Sequence, residues 1–282
     1  MLLTIITINR NNAIGLEKTM QSVLNQTIKD FEYVVVDGAS ADGSVAVVQR
    51  FVSQFGDRLK WVSESDKGIY NAMNKGIKLA TGEYVEFLNS GDCLASEDVV
   101  SRMYTALETK GTPSILYGNM LKEMPDETIL RDKSFAGRDI TFLGFFTGTL
   151  NHSPAYIRRD LFEKYGMYDE SLRIVSDWKW YLQAIVLGEE KPYYVDIDIM
   201  RFDMNGISET NKEIRNTERE QVLTELIPQP ILSDYKQWAF TINQMKRLKR
   251  HPWAEKIVWF IERCLFKLEK AKHKCSHQVE FR

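Results

Sequence analysis

Residues 1–95 alternate between short apolar, β-branched runs and single amphipathic stretches, and this alternation restricts the fold more than any other feature. LLTIITI (2–8) has no polar residue on either face except threonine, the pattern of a central strand covered on both sides. Leu16, Met20, Val23 and Leu24 then recur at helical spacing. FEYVVVD (31–37) predicts a second strand ending in the turn-rich DGASADG, followed by a helix over 44–55 and a strand LKWVS (59–63). The spacing predicts a helix over 69–80 with Ile69, Met73, Ile77 and Ala80 on one face and Asn71, Asn74, Lys75 and Lys78 on the other. A strand EYVEFL (83–88) closes the run. Single helices between strands imply an α/β fold with a parallel sheet of right-handed βαβ units.

Beyond residue 95 the pattern loosens. A helix over 96–110, a strand SILYG (114–118) and a hairpin KEMPDETILR (122–131) turning at Pro125–Asp126 are expected. Residues 132–158 show no period; a helix over 177–187 and strands near 193–196 and 199–204 follow. Residues 209–275 read as helical, interrupted near Pro228–Pro230 and at Pro252.

In open parallel sheets, ligands bind beyond the carboxyl ends of the strands. Those ends carry Thr7 and Asn9, Asp37, Glu64 and Asp66, and Asn89 and Asp92. Each alone is an ordinary turn residue. Together they gather carboxylates that repel one another unless a cation or a polyhydroxyl ligand intervenes. No GxGxxG follows the first strand, and the sequence has no GxxxxGK[ST], GxSxG or HExxH. These absences disfavour a dinucleotide fold, a P-loop, a serine hydrolase and a zinc site. A carboxylate-rich edge suits Mg²⁺ or Mn²⁺ sharing phosphate oxygens.

The segments TIITINRN, SVLNQTIKDFEYVVVDGASADGS, ESDKGIYNAMNKGIKLATGEYVEFLNSGD and VSDWKWYLQ, in this order, resemble the family 2 inverting glycosyltransferases of the GT-A fold. The resemblance covers residues 1–208 and is most specific over 64–92. It implies a GT-A catalytic domain at 1–208, with a nucleotide half to about residue 95 and an acceptor half over 96–208, then a helical extension at 209–282. It implies a nucleoside-diphosphate sugar donor and a carbohydrate or lipid-linked acceptor. By position, Asp37 and Asp66 would contact base and ribose, with Thr7, Asn9 and Glu64 in the same pocket. Lys67 and Gly68, at the start of a helix, would face phosphate, or else form a capping turn. Asp92 matches the last carboxylate of the family's metal motif, so a divalent cation, Mn²⁺ or Mg²⁺, is implied. NSGD departs from that motif, with Asn89 and Gly91 where relatives are more acidic.

Asp177, opening a helix, matches the family's catalytic base, although Ser176 stands where many relatives have Glu. His152 resembles an acceptor-side histidine, Trp178 and Trp180 are candidates to stack on a sugar face with one of the two expected in the core, and NGIS (205–208) resembles the segment ending the catalytic region. Two rivals remain at this level: a silent sugar-nucleotide-binding scaffold, favoured by the weakened NSGD, and a sugar-1-phosphate nucleotidyltransferase.

The chain's net charge of −2 gives no case for nucleic acid, but its distribution is uneven. Residues 234–282 hold 12 Lys and Arg against 5 Asp and Glu, a local +7 that leaves −9 on the rest. Trp238, Phe240, Trp253, Phe260 and Phe266 lie among these basic residues. The stretch 234–275 is therefore expected either to meet an anionic membrane surface or to pack on the domain or a second subunit. Cys93, Cys264 and Cys275 show no paired spacing, and no segment approaches a membrane span, so a cytoplasmic location is expected, peripheral to the inner membrane face if the tail binds lipid.

Overall fold

The structure, a computed structural model, describes residues 1–124, 126, 128–202 and 211–279, excluding the side chains of 243, 246 and 271–279. Pro125 and the NGIS segment therefore lie outside the described residues. The chain divides into two compact units, Met1–Glu225 and Leu226–Arg282.

The first unit is built on a mixed sheet. Its strands are β1 (Leu3–Asn9), β2 (Glu32–Asp37), β3 (Leu59–Ser63), β4 (Tyr84–Phe87), β5 (Cys93–Leu94), β6 (Ile115–Glu123), β7 (Ile129–Asp132), β8 (Ala155–Arg158) and β9 (Pro192–Phe202). Their order is β3-β2-β1-β4-β8-β6-β9-β5, with β7 paired to β6. The βαβ expectation holds for β3, β2, β1 and β4, which are parallel. It fails at β8, which enters antiparallel between β4 and β6. The hairpin forms as β6–β7, and the two expected strands at 193–204 are one strand, β9, with a register shift opposite Asn119.

Helices α1 (Ala13–Leu24), α2 (Ser44–Phe55), α3 (Ile69–Leu79) and α4 (Val99–Thr109) follow the first four predicted stretches. One core carries Leu3, Ile5, Leu16, Met20, Tyr33, Val35, Val48 and Phe51, so α1 and α2 cover one sheet face. Against the other face α3 lies very close: a Cβ on Gly76 would stand 2.4 Å from Ile6 Cγ2. Asn74, expected on the solvent face of α3, is buried. Its amide accepts the Tyr168 N–H at 3.0 Å and donates to the Tyr168 carbonyl at 2.9 Å, which makes its burial tolerable.

Short helices α5 (Phe142–Thr147), α6 (Leu161–Tyr165) and α7 (Ser176–Tyr181) complete the helices of residues 96–208. The predicted 177–187 helix changes to a π-helical turn at Leu182–Leu187. Helix α8 (Lys212–Leu226) was expected in the extension, yet it lies almost wholly within the first compact unit. The second unit holds α9 (Gln229–Leu248) and α10 (Pro252–Val279), each starting at a proline-bearing first turn, as the Pro interruptions predict.

Candidate active site

The register of the parallel strands places Asn9 beside Asp37 and Asp37 beside Ser63. Asp37 is fully buried and its carboxylate takes four hydrogen bonds. Asn9 Nδ2 donates at 2.8 Å, Ser40 N at 3.0 Å, Ser40 Oγ at 2.6 Å and Ser63 Oγ at 2.6 Å. Burial alone would raise its pKa, but these donors outweigh it and hold the carboxyl below its ordinary value. Asn9 Oδ1 is buried without a partner.

Beside this cluster, the 64–68 loop is drawn onto α3 by Lys75. Its ammonium meets Asp66 Oδ1 at 2.6 Å, Glu64 Oε1 at 2.8 Å and the Ser65 carbonyl at 3.0 Å. Asp66 reaches the second strand end: a Cβ on Gly38 would stand 2.9 Å from Asp66 Oδ2. Asp37, Gly38 and Asp66 therefore form one edge. Lys67 and Gly68 are exposed, and Gly68 has φ 143°, ψ 178°, a conformation essentially confined to glycine. No side chain caps α3, so its first N–H groups remain a candidate anion site next to Lys67.

Thr7 does not belong to this edge. It is fully buried, with its hydroxyl 2.9 Å from Tyr33 Oη and 2.7 Å from the Leu88 carbonyl, so it supports the strands from within.

The NSGD turn is held by Thr19 of α1, whose Oγ1 lies 2.7 Å from the Asp92 carbonyl and accepts the Gly91 N–H at 3.0 Å. Gly91 has φ 107°, where a side chain would be strained, so the glycine suits this turn, while Asn89 is under no such constraint. Asp92 is buried to 4% exposure, and Asn89 Oδ1 is a buried oxygen with no partner. Among the described residues no group of three or more His, Cys, Asp or Glu could hold a metal. The donors present thus fit a cation only if most of its ligands come from elsewhere.

A second cluster surrounds Asp177 in the first turn of α7. Tyr70, at the start of α3, lies with its hydroxyl 2.8 Å from Asp177 Oδ1 and 2.6 Å from the Ile174 carbonyl. Burial first, and the Asp177 charge second, push the Tyr70 pKa well up, so it stays a donor. His152 Nε2 is 2.6 Å from Tyr168 Oη, and its ring packs on Phe87 at 4.8 Å. Burial lowers the His152 pKa against the opposing pull of Asp177, leaving a neutral ring at neutral pH.

Trp178 cannot stack on a sugar here. It is 2% exposed, its indole N–H donates to the Gly148 carbonyl at 3.1 Å, and the Arg219 guanidinium sits 4.9 Å from its ring. Trp180 is equally buried, stacked on Phe162.

Sequence reasoning missed what α8 contributes. Glu218 accepts the backbone N–H groups of Arg173 at 2.7 Å, Ile174 at 2.9 Å and Val175 at 3.2 Å, fixing the approach to α7. Lys179 is tied to Asp169 and Glu225, each at 2.9 Å. A lone Glu in a charged helix carries no signal of this. Tyr70 stands within DKGIYNAM, where nothing in the pattern marks it as a partner of Asp177.

The profile of glycosyl transferase family 2 matches residues 4–171. This chain belongs to that family. A PGL/p-HBAD biosynthesis glycosyltransferase of Mycobacterium tuberculosis is 26% identical over 238 residues, 83% of this chain and 90% of the relative. An uncharacterised glycosyltransferase of the same organism is 31% identical over 207 residues, 72% of this chain and 76% of its own. Among solved structures, Staphylococcus aureus TarS 1–349 in complex with UDP-GlcNAc aligns with TM-score 0.62 at 18% identity, covering 74% of this chain and 61% of that one. The mannosyltransferase PcManGT from Pyrobaculum calidifontis, in complex with GDP-Man and Mn²⁺, also aligns with TM-score 0.62, at 19% identity, covering 80% and 64%. The chain thus spans about three fifths of the TarS fragment. These likenesses establish the GT-A fold, and family membership establishes a glycosyltransferase.

Proposed function

We propose that this family 2 glycosyltransferase transfers a sugar from a nucleoside diphosphate to an acceptor hydroxyl with inversion, in polysaccharide or glycoconjugate assembly. The observation that carries this reading is the meeting of Tyr70, directly after the 64–68 loop, with Asp177, which joins the nucleotide edge to a single carboxylate on another element. The sugar-nucleotide complexes of TarS and PcManGT support a donor of this class.

In this reading Asp66 and Glu64 face the nucleoside, while Asp37, fully buried with both oxygens hydrogen-bonded, and Asn9 hold that edge from within rather than touching the base, and Lys67, Gly68 and the start of α3 meet phosphate. Asp177 takes the proton of the acceptor hydroxyl as its oxygen bonds to the anomeric carbon and the bond to the diphosphate breaks. Tyr70 occupies Oδ1, so Oδ2 is the oxygen left to face the acceptor. His152, neutral, lines the acceptor side. Asp92 and Asn89 Oδ1 would hold Mn²⁺ or Mg²⁺ together with diphosphate oxygens, and the cation would offset the charge of the leaving group.

The test is a thermal-shift screen of UDP-, GDP- and dTDP-sugars with and without Mn²⁺. A cognate donor at about 100 Kd should add about 2.7 kcal/mol of apparent stability. Absence of any shift across the three bases would count against the donor class.

A further inference from the structure

We propose that α10 docks the enzyme on an anionic lipid bilayer, lying in the interface with its axis parallel to the surface. The helix runs Pro252–Val279, and among its described residues Trp253, Ile257, Phe260, Ile261, Leu265 and Leu268 are each at least half exposed. At about 100° per residue these side chains cover an arc of roughly 140°. Lys256, Arg263, Lys267 and Lys270 line one border of that arc, and Glu255, Glu262 and Glu269 lie at the other. Two further exposed rings, Trp259 and Phe266, lie on the face opposite the arc, where Arg263 covers Trp259 at 4.6 Å and Lys270 covers Phe266 at 5.0 Å.

Charge selects the occupant. Residues 252–279 themselves carry +3 and the preceding 234–251 another +4, on a chain of net −2, so this segment is attracted to a negative surface that the acidic remainder is not. A coiled-coil pairing with a second copy fits less well. Its seam would be Ala254, Ile257, Ile261, Cys264 and Leu268, flanked by Trp253, Val258, Phe260, Leu265 and Lys267. None of those flanking residues is acidic, so Lys267 finds no partner across the seam, and the aromatic width exceeds what a two-residue seam buries. No helix among the described residues is long and apolar enough to cross a membrane, which leaves the interfacial mode.

The experiment is sedimentation of the full chain with vesicles of phosphatidylcholine plus phosphatidylglycerol and with vesicles of phosphatidylcholine alone, at low and high salt. The expected result is binding to the anionic vesicles that weakens with salt. The variant Lys256→Glu, Arg263→Glu, Lys267→Glu, Lys270→Glu should bind at least about tenfold more weakly. Phe260→Glu with Leu268→Glu should also release the protein while circular dichroism stays unchanged. Failure of the parent chain to bind anionic vesicles would overturn the proposal. So would a solution dimer that these two apolar changes dissociate without altering vesicle binding.

Discussion

The Tyr70 hydroxyl stands 2.8 Å from Asp177 Oδ1, linking the first turn of α3 to the first turn of α7 across 107 residues of sequence. A hydrogen bond to a charged group contributes about 1.5–3 kcal/mol. Because this contact holds Asp177 in place, Tyr70→Phe should let the carboxylate shift and lower kcat by about 10–100-fold, while calorimetry shows donor affinity within about twofold of the parent. A matching loss of donor affinity would instead make Tyr70 part of the nucleotide pocket.

Glu218 is the support behind that contact. Glu218→Gln retains one acceptor oxygen for three N–H groups, so unfolding stability should fall by about 1–3 kcal/mol. If the clamp positions Asp177, kcat should fall while KM for the donor holds. A variant that loses stability but keeps kcat would reduce Glu218 to a structural role.

Asp66 is the most readily tested of the residues proposed to face the nucleoside. Asp66→Ala should weaken nucleoside diphosphate binding by about 1.5–3 kcal/mol in calorimetry. Asp66 also pairs with Lys75, so Lys75→Met is the control. Equal losses in both variants would mean that Asp66 only shapes the loop.

Glu86 lies in β4, fully buried, with the Tyr156 hydroxyl beside its carboxyl. Burial pushes its pKa up to about 8. Glu32, also buried, shows the contrast: Thr4, Thr81 and Lys60 surround it and its pKa is lowered despite burial. Because the native state keeps the Glu86 proton to higher pH than the unfolded state, stability should fall as pH rises from about 4.5 to about 8. The expected slope is about 1.4 kcal/mol per pH unit. Glu86→Gln should remove that slope in denaturant titrations; an unchanged slope would mean that Glu86 is not its source.

Much of this was legible from residues alone where local pattern and tertiary role coincide. The strands at 3–9, 32–37 and 59–63 are buried or paired as their apolar runs imply, and Asn9 and Asp37 meet because parallel register carries strand ends to one edge. The antiparallel β8 was not legible, because four residues at 155–158 owe their pairing to β4 and β6 rather than to any period of their own. Thr7 and Trp178 misled for a related reason. Their polar atoms find internal carbonyls, at Leu88 and Gly148, and sequence does not show which partner a hydroxyl or an indole will choose. The glycine in NSGD looked like a weakened metal motif, whereas its positive φ makes it a requirement of the turn.

Asp177, the proposed base of an in-line sugar transfer, is tested by Asp177→Asn. Asn keeps the size and can still accept the Tyr70 hydrogen bond, but it cannot take a proton as a carboxylate does. Transfer to an acceptor, or slow donor hydrolysis where no acceptor is in hand, would be followed beside calorimetry of donor binding. Donor affinity should stay unchanged while the rate falls by about 10²–10⁴. Full activity in Asp177→Asn would contradict it.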